Sequence, residues 1–216
     1  MTTGHPPHPE PVSGPELDKL LQDVHGLIVD WDGTVVDNSD IRLSALQQAL
    51  APYGVDVDPH WYTLNCGLPI RETIARLASP RTLPVEEIVS TSRRLLLNGP
   101  PPRLIDSTIA LLNRAAALGL PRAVASSAAG VLVHPAIDRL GLRTLLPVVV
   151  TAESVPSGKP APDAYLEAAR LIARAPARCL AVDDAPDGIT SALDAGMRVL
   201  TVREGLLVPV PCRIQG

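Results

Sequence analysis

Apolar residues follow two rhythms along this chain. Short unbroken runs occur at Gly26–Trp31, Arg122–Ala125, Pro147–Thr151, Cys179–Val182 and Val199–Val202. A run without polar alternation predicts a strand covered on both faces, as in a parallel sheet. Between the later runs the apolar positions recur at helical spacing, over Ser107–Leu118, Leu132–Leu140, Asp163–Ala173 and Asp187–Ala195. Strands alternating with helices predict right-handed crossovers and an α/β fold with a doubly wound, Rossmann-like parallel sheet. The rhythm breaks between Asp37 and about Pro102, where Ile41–Leu50, Ile70–Leu77 and Val85–Leu97 read as amphipathic helices with no convincing strand. Gly54, Gly67, Pro80 and the Gly99–Pro102 cluster punctuate them. This predicts a small helical domain, residues 38–102, inserted into a core made of residues 15–37 and 103–216. Residues 1–14, polar and rich in Pro and His, read as a disordered tail, with Pro15 opening a short helix.

Composition narrows the possibilities. Aromatic residues are 2% of the 216 and Phe is absent, so the core must be built from Leu, Val, Ile and Ala. The same scarcity argues against stacking platforms for single-stranded nucleic acid. A net charge of −4 provides no footprint for a polyanion. Cys66, Cys179 and Cys212 are widely spaced and odd in number, which suggests reduced thiols rather than a disulfide framework. Neither a signal peptide nor an apolar run of about 20 residues is evident. The expectation is a soluble cytoplasmic protein with no membrane or nucleic-acid partner, as a monomer or homodimer.

In an open α/β sheet, ligands bind beyond the carboxyl ends of the strands. Polar residues gather at these ends: Asp30-Trp31-Asp32-Gly33-Thr34 after the first run, Ser126-Ser127 after the second, Asp183-Asp184 after the fourth. Ser157-Gly158-Lys159-Pro160 follows the third. Carboxylates brought together repel one another unless a cation joins them. Mg2+ prefers hard oxygen ligands and often bridges carboxylates to a phosphate. Asp30 and Asp184 are the expected direct ligands, the carbonyl of Asp32 a third, and Asp183 a supporting group. Lys159 supplies a point charge to Asp30 and to phosphoryl oxygens. It is one of two lysines, with Lys19, in a chain that otherwise uses Arg. Ser126 and the N–H groups near Gly33 suit the remaining phosphate oxygens, although Ser126 could instead cap the next helix. His60 and His134 read as structural or exposed, and His5 and His8 as inert.

The pattern resembles the haloacid dehalogenase superfamily. Asp30-Trp31-Asp32-Gly33-Thr34-Val35-Val36-Asp37 is similar to its first motif, DxDGTxxD. Ser126 falls at the second, Gly158-Lys159-Pro160-Ala161-Pro162-Asp163 at the third and Asp183-Asp184 at the fourth, in order, across residues 24 to 203. The resemblance implies a phosphatase of a small phosphorylated metabolite. Asp30 would be the nucleophile that forms an aspartyl-phosphate, and Asp32 the acid and then the base. The helical insert would be a mobile cap. A phosphoglucomutase-like phosphotransferase shares these motifs, and Arg71 in the cap would suit a second phosphate. A catalytically silent module would be expected to lose a motif residue, and none is lost. Departures are Trp31, expected to fill core volume, Ser127 in place of the usual Asn, and Arg42 in place of His. Arg42 reads as a solvated helix residue, and Cys66-Gly67-Leu68-Pro69 as a cap loop facing substrate.

Overall fold

The computed structural model describes residues 10–12, 14–65, 68–77 and 82–211. Helix α1 (Gly14–Gln22) leads into strand β1 (Gly26–Val29) and the short strand β2 (Val36–Asp37). Four helices follow: α2 (Ser39–Leu50), α3 (Pro59–Asn65), α4 (Ile70–Arg76) and α5 (Val85–Asn98). The chain then returns through β3 (Arg103–Leu104) to α6 (Asp106–Ala117), β4 (Arg122–Ala125), α7 (Gly130–Arg139) and β5 (Val148–Val150). It ends with α8 (Asp163–Leu171), β6 (Cys179–Val182), α9 (Pro186–Asp194), β7 (Arg198–Arg203) and β8 (Leu206–Pro209).

Six strands form one sheet in the order β5-β4-β1-β6-β7-β8, parallel except for β8. This is an α/β fold of the Rossmann-like kind. The apolar runs are unbroken because both faces are covered. Leu27, Val29, Val124, Leu180, Val182 and Leu200 pack on the side of α1, α6 and α7. Ile28, Ala123, Ala125, Cys179, Ala181 and Val199 pack against α8 and α9 on the other. Trp31 is 2% exposed and lies in the first of these clusters, filling core volume as expected.

Helices α2–α5 bury a core of their own, built from Leu46, Leu50, Val57, Tyr62, Ile74, Ile88 and their neighbours. The chain enters and leaves this helical insert through β2 and β3, an antiparallel ribbon with Val36 opposite Leu104 and Asp37 opposite Arg103. An Arg103–Asp37 ion pair of 2.6 Å and a bond from Ile105 N–H to Val35 O at 3.0 Å fasten it.

The structure differs from the expectation in one place and adds to it in two. The tail does not extend to residue 14: α1 begins at Gly14, and Val12 N–H donates to Leu207 O at 2.8 Å on the free edge of β8. Residues 1–9 and 13, with His5 and His8, lie outside the described residues, as do Cys66, Gly67, Pro80 and Cys212. Beyond the last predicted run, Glu204 and Gly205 both take positive φ, 50° and 76°, and turn the chain back as β8, a strand the run pattern did not give. Positive φ at both central residues is the two-residue hairpin geometry that matches strand twist. Helix α3 also went unread between Gly54 and Gly67.

Candidate active site

The carboxyl ends of β1, β4 and β6 lie side by side, because β1 sits between the other two. Each strand is prolonged by one ladder bond: Asp30 N–H to Val182 O at 2.9 Å, Ser126 N–H to Val150 O at 2.9 Å and Asp183 N–H to Leu200 O at 3.1 Å. The sheet itself therefore delivers the acidic side chains to one place. Asp30, Asp183 and Asp184 each offer an oxygen, and these oxygens lie within 4.8 Å of one another.

Lys159 reaches this cluster from the loop before α8. Its Nζ donates to Asp30 Oδ1 at 2.6 Å and to Asp183 Oδ2 at 2.7 Å, with its side chain only 6% exposed. Burial alone would favour the neutral amine, but the two carboxylates outweigh it and hold the ammonium pKa above its ordinary value. Burial pushes the Asp30 carboxyl well up, and Asp183, Asp184 and Asp32 add to this against the pull of Lys159. The Asp184 carboxyl rises to about 6, through burial first and Asp183 second. Burial and the neighbouring acids drive Asp30 and Asp184 toward protonation, and a small divalent cation, held by these hard oxygen donors beside Asp183, would relieve both effects.

Several supporting groups are not evident from motif spacing. Tyr165 is fully buried, and its hydroxyl donates to Asp183 Oδ2 at 2.7 Å. Ala185 N–H holds the other oxygen of Asp183 at 3.0 Å. Thr34 Oγ1 donates to Asp184 Oδ1 at 2.9 Å. Two glycines exist because carboxylates press on them. A Cβ on Gly33, whose φ is +83°, would sit 2.3 Å from Asp184 Oδ2, and one on Gly188 would sit 2.0 Å from Asp183 Oδ2. Gly188→Ala should therefore displace the Asp183 carboxylate. We expect a loss of about 1–3 kcal/mol of stability, from overpacking, and a parallel loss of turnover. Chemical denaturation would check the first and phosphate release the second.

The remaining candidates distribute as follows. Ser126 is 2% exposed, and its Oγ accepts from Ala128 N–H at 3.0 Å, so it shapes the turn after β4 rather than capping α7. Ser127 is exposed beside it. Asp32 stands on the loop after β1 and pairs with Arg42 at 2.6 Å. The solvated reading of Arg42 is thus corrected, because its guanidinium is tied to Asp32. Arg71 is not brought to the cluster; its Nε and Nη2 bind Glu86 of α5 at 2.7 and 2.8 Å within the insert. His60 and His134 are exposed.

A parallel sheet that gathers three carboxylates and one buried lysine at its carboxyl edge, beneath an inserted helical unit, is the framework of a phosphoryl-group hydrolase. The chain belongs to the haloacid dehalogenase-like hydrolase family, which matches it over residues 27–202. Within it the chain falls in the phosphatase branch, as a phosphoric monoester hydrolase. It is 31% identical over 185 residues to the fructose-1-phosphate phosphatase YqaB of Escherichia coli, covering 82% of this chain and 96% of that protein. It is 28% identical over 173 residues to a validoxylamine A 7'-phosphate phosphatase of Streptomyces hygroscopicus, covering 79% and 81%. Among solved structures it is similar to CbbY from Rhodobacter sphaeroides in complex with xylulose-(1,5)bisphosphate, at 25% identity and a TM-score of 0.73 over 82% of this chain and 85% of that one. No helix among the described residues is long and apolar enough to cross a membrane.

Proposed function

We propose that this enzyme is a Mg2+-dependent phosphatase of small soluble phosphomonoesters, sugar phosphates foremost, working through a phosphoryl-Asp30 intermediate. The convergence of Asp30, Asp183, Asp184 and Lys159 carries this reading. A carboxylate oxygen of Asp30 attacks phosphorus, the bond to the ester oxygen breaks, and its electron pair leaves with that oxygen. Asp32 gives the departing oxygen a proton. Water then attacks the acyl phosphate and surrenders a proton to Asp32, releasing inorganic phosphate and regenerating Asp30. Lys159 holds Asp30 in place and lends positive charge to the transferring group, where positioning and electrostatics provide most of the rate. Asp30, Asp184 and the Asp32 carbonyl would hold Mg2+, with Asp183 anchoring Lys159, and the ion would neutralise phosphate charge. Ser126 and the amides beside Gly33 would receive phosphate oxygens. The helical insert would close over the site as a cap.

The test is phosphate release from a panel of hexose, hexitol and triose phosphates with added Mg2+ and with a chelator. Metal-dependent release from at least one ester is expected without any added bisphosphate. Silence across the panel would leave a binding module instead.

The cation also has a signature in stability. A carboxyl whose folded-state pKa lies above its unfolded value contributes stability at low pH that is lost as pH rises through the folded value. For Asp184 that window runs from 3.8 to about 6. Metal-free protein is thus penalised above it, and a bound cation removes the penalty. Mg2+ should raise Tm more near pH 7 than near pH 4.5, and an equal shift at both would take Asp184 out of the metal site.

A further inference from the structure

Both oxygens of Asp32 are gripped from one turn of α2. Arg42 Nη1 lies 2.6 Å from Oδ2, and Asn38 Nδ2 donates to Oδ1. Asn38 is the residue on which α2 starts, and its carbonyl accepts the Arg42 N–H at 2.9 Å. Four positions apart, the two side chains share one helix face. Arg42 and Asp32 are 26% and 23% exposed, so the pair is sheltered without being sealed.

From this geometry we infer that Arg42 and Asn38 are positioning residues that fix the side-chain torsions of Asp32, so that its carboxyl faces the ester oxygen and then the attacking water. The inference rests on the reading of Asp32 as the acid and base. A cavity of about 60 Å³ adjoins the three residues, walled by Ile41 and Leu97 of the insert and by Leu132 and Val133 of α7. It gives the carboxyl somewhere to swing if released. A proton donor works only within about 2.6–3.2 Å of its target. Misplacement by about 1 Å can cost about 100-fold in rate. Since both donors belong to the first helix of the insert, seating the insert and aiming Asp32 are a single event.

Arg42→Ala and Asn38→Ala in the full chain test this, with a sugar phosphate found to be a substrate. Each should lower kcat about 10- to 100-fold while KM stays within about twofold and Tm hardly moves. Arg42→Lys should recover part of the loss, since a single ammonium can hold one oxygen but not both donors' geometry. The decisive measurement is a double-mutant cycle: Arg42→Ala added to Asp32→Asn should cost nothing beyond Asp32→Asn alone. Additive losses, or a rise in KM at unchanged kcat, would place Arg42 on the substrate and overturn the inference. An active Arg42→Ala beside a crippled Asp32→Asn would overturn it alone. An Asp32→Asn enzyme as active as the parent would overturn the acid–base reading as well. If Arg42→Ala fails to fold, Asn38→Ala carries the same comparison.

Discussion

Asp30→Asn is expected to abolish turnover, by at least about 10⁴-fold, and to leave the fold intact. The amide preserves the shape of the side chain but cannot attack phosphorus, so the first bond never forms. Stability should not suffer. The Asp30 carboxyl is raised chiefly by burial and then by three neighbouring acids, so its charged form is an expense to the metal-free protein. Removing that charge should keep Tm level or raise it, while the thermal response to Mg2+ weakens. Phosphate release and a thermal melt check the two halves. Activity within about tenfold of the parent would show that Asp30 is not the nucleophile.

Lys159→Met is expected to damage both activity and stability. Methionine matches the length of the lysine stem and removes the charge that answers Asp30 and Asp183 at 2.6 and 2.7 Å. Deleting one partner of a buried ion pair leaves the other uncompensated, at a cost of about 3–5 kcal/mol. Lost electrostatic stabilisation of the transferring group should cost a further factor of about 10²–10³ in kcat. The stability loss has a direction with pH. The Asp30 carboxyl, raised by burial and now without the opposing pull of Lys159, holds its proton more tightly when folded than when unfolded, so acidification should restore part of the lost stability. Denaturant melts near pH 5 and pH 7.5 would measure this; a loss equal at both would mean that the lysine acts by packing alone.

The polar residues at the strand ends were legible because each follows an apolar run whose length and β-rich character are visible without a structure. Asp30, Asp183 and Asp184 could be assigned to one edge once the runs were read as parallel strands. Their supporting shell was not legible. Tyr165 stands 18 positions from Asp183, and nothing in its local pattern separates a core tyrosine from one that donates into an acidic cluster. Arg42 read as a solvated helix residue and Asn38 drew no reading, since the feature that gives them meaning, the carboxylate of Asp32, is reached through a tight turn. That turn is set by Gly33 N–H to Val36 O at 2.7 Å, and by Val35 and Val36 N–H both at 3.0 Å from Trp31 O. The pairing of Arg71 was equally hidden: Glu86, fifteen residues on, takes up its guanidinium, and helical spacing within the insert does not announce that contact. Strands β2 and β3 are two residues each, below the length at which alternation can be read.

The short ribbon has a consequence for how such enzymes diversify. Because Val36 and Leu104 are directly paired, the outgoing and incoming chains pass through a doorway only about 5 Å wide. Anything that begins and ends at that spacing, and keeps Asn38 and Arg42 at its start, can be spliced there without stretching the sheet or freeing the Asp32 carboxylate. A graft of the excursion between relatives should therefore need only two junctions, provided the two side chains that hold Asp32 come with it.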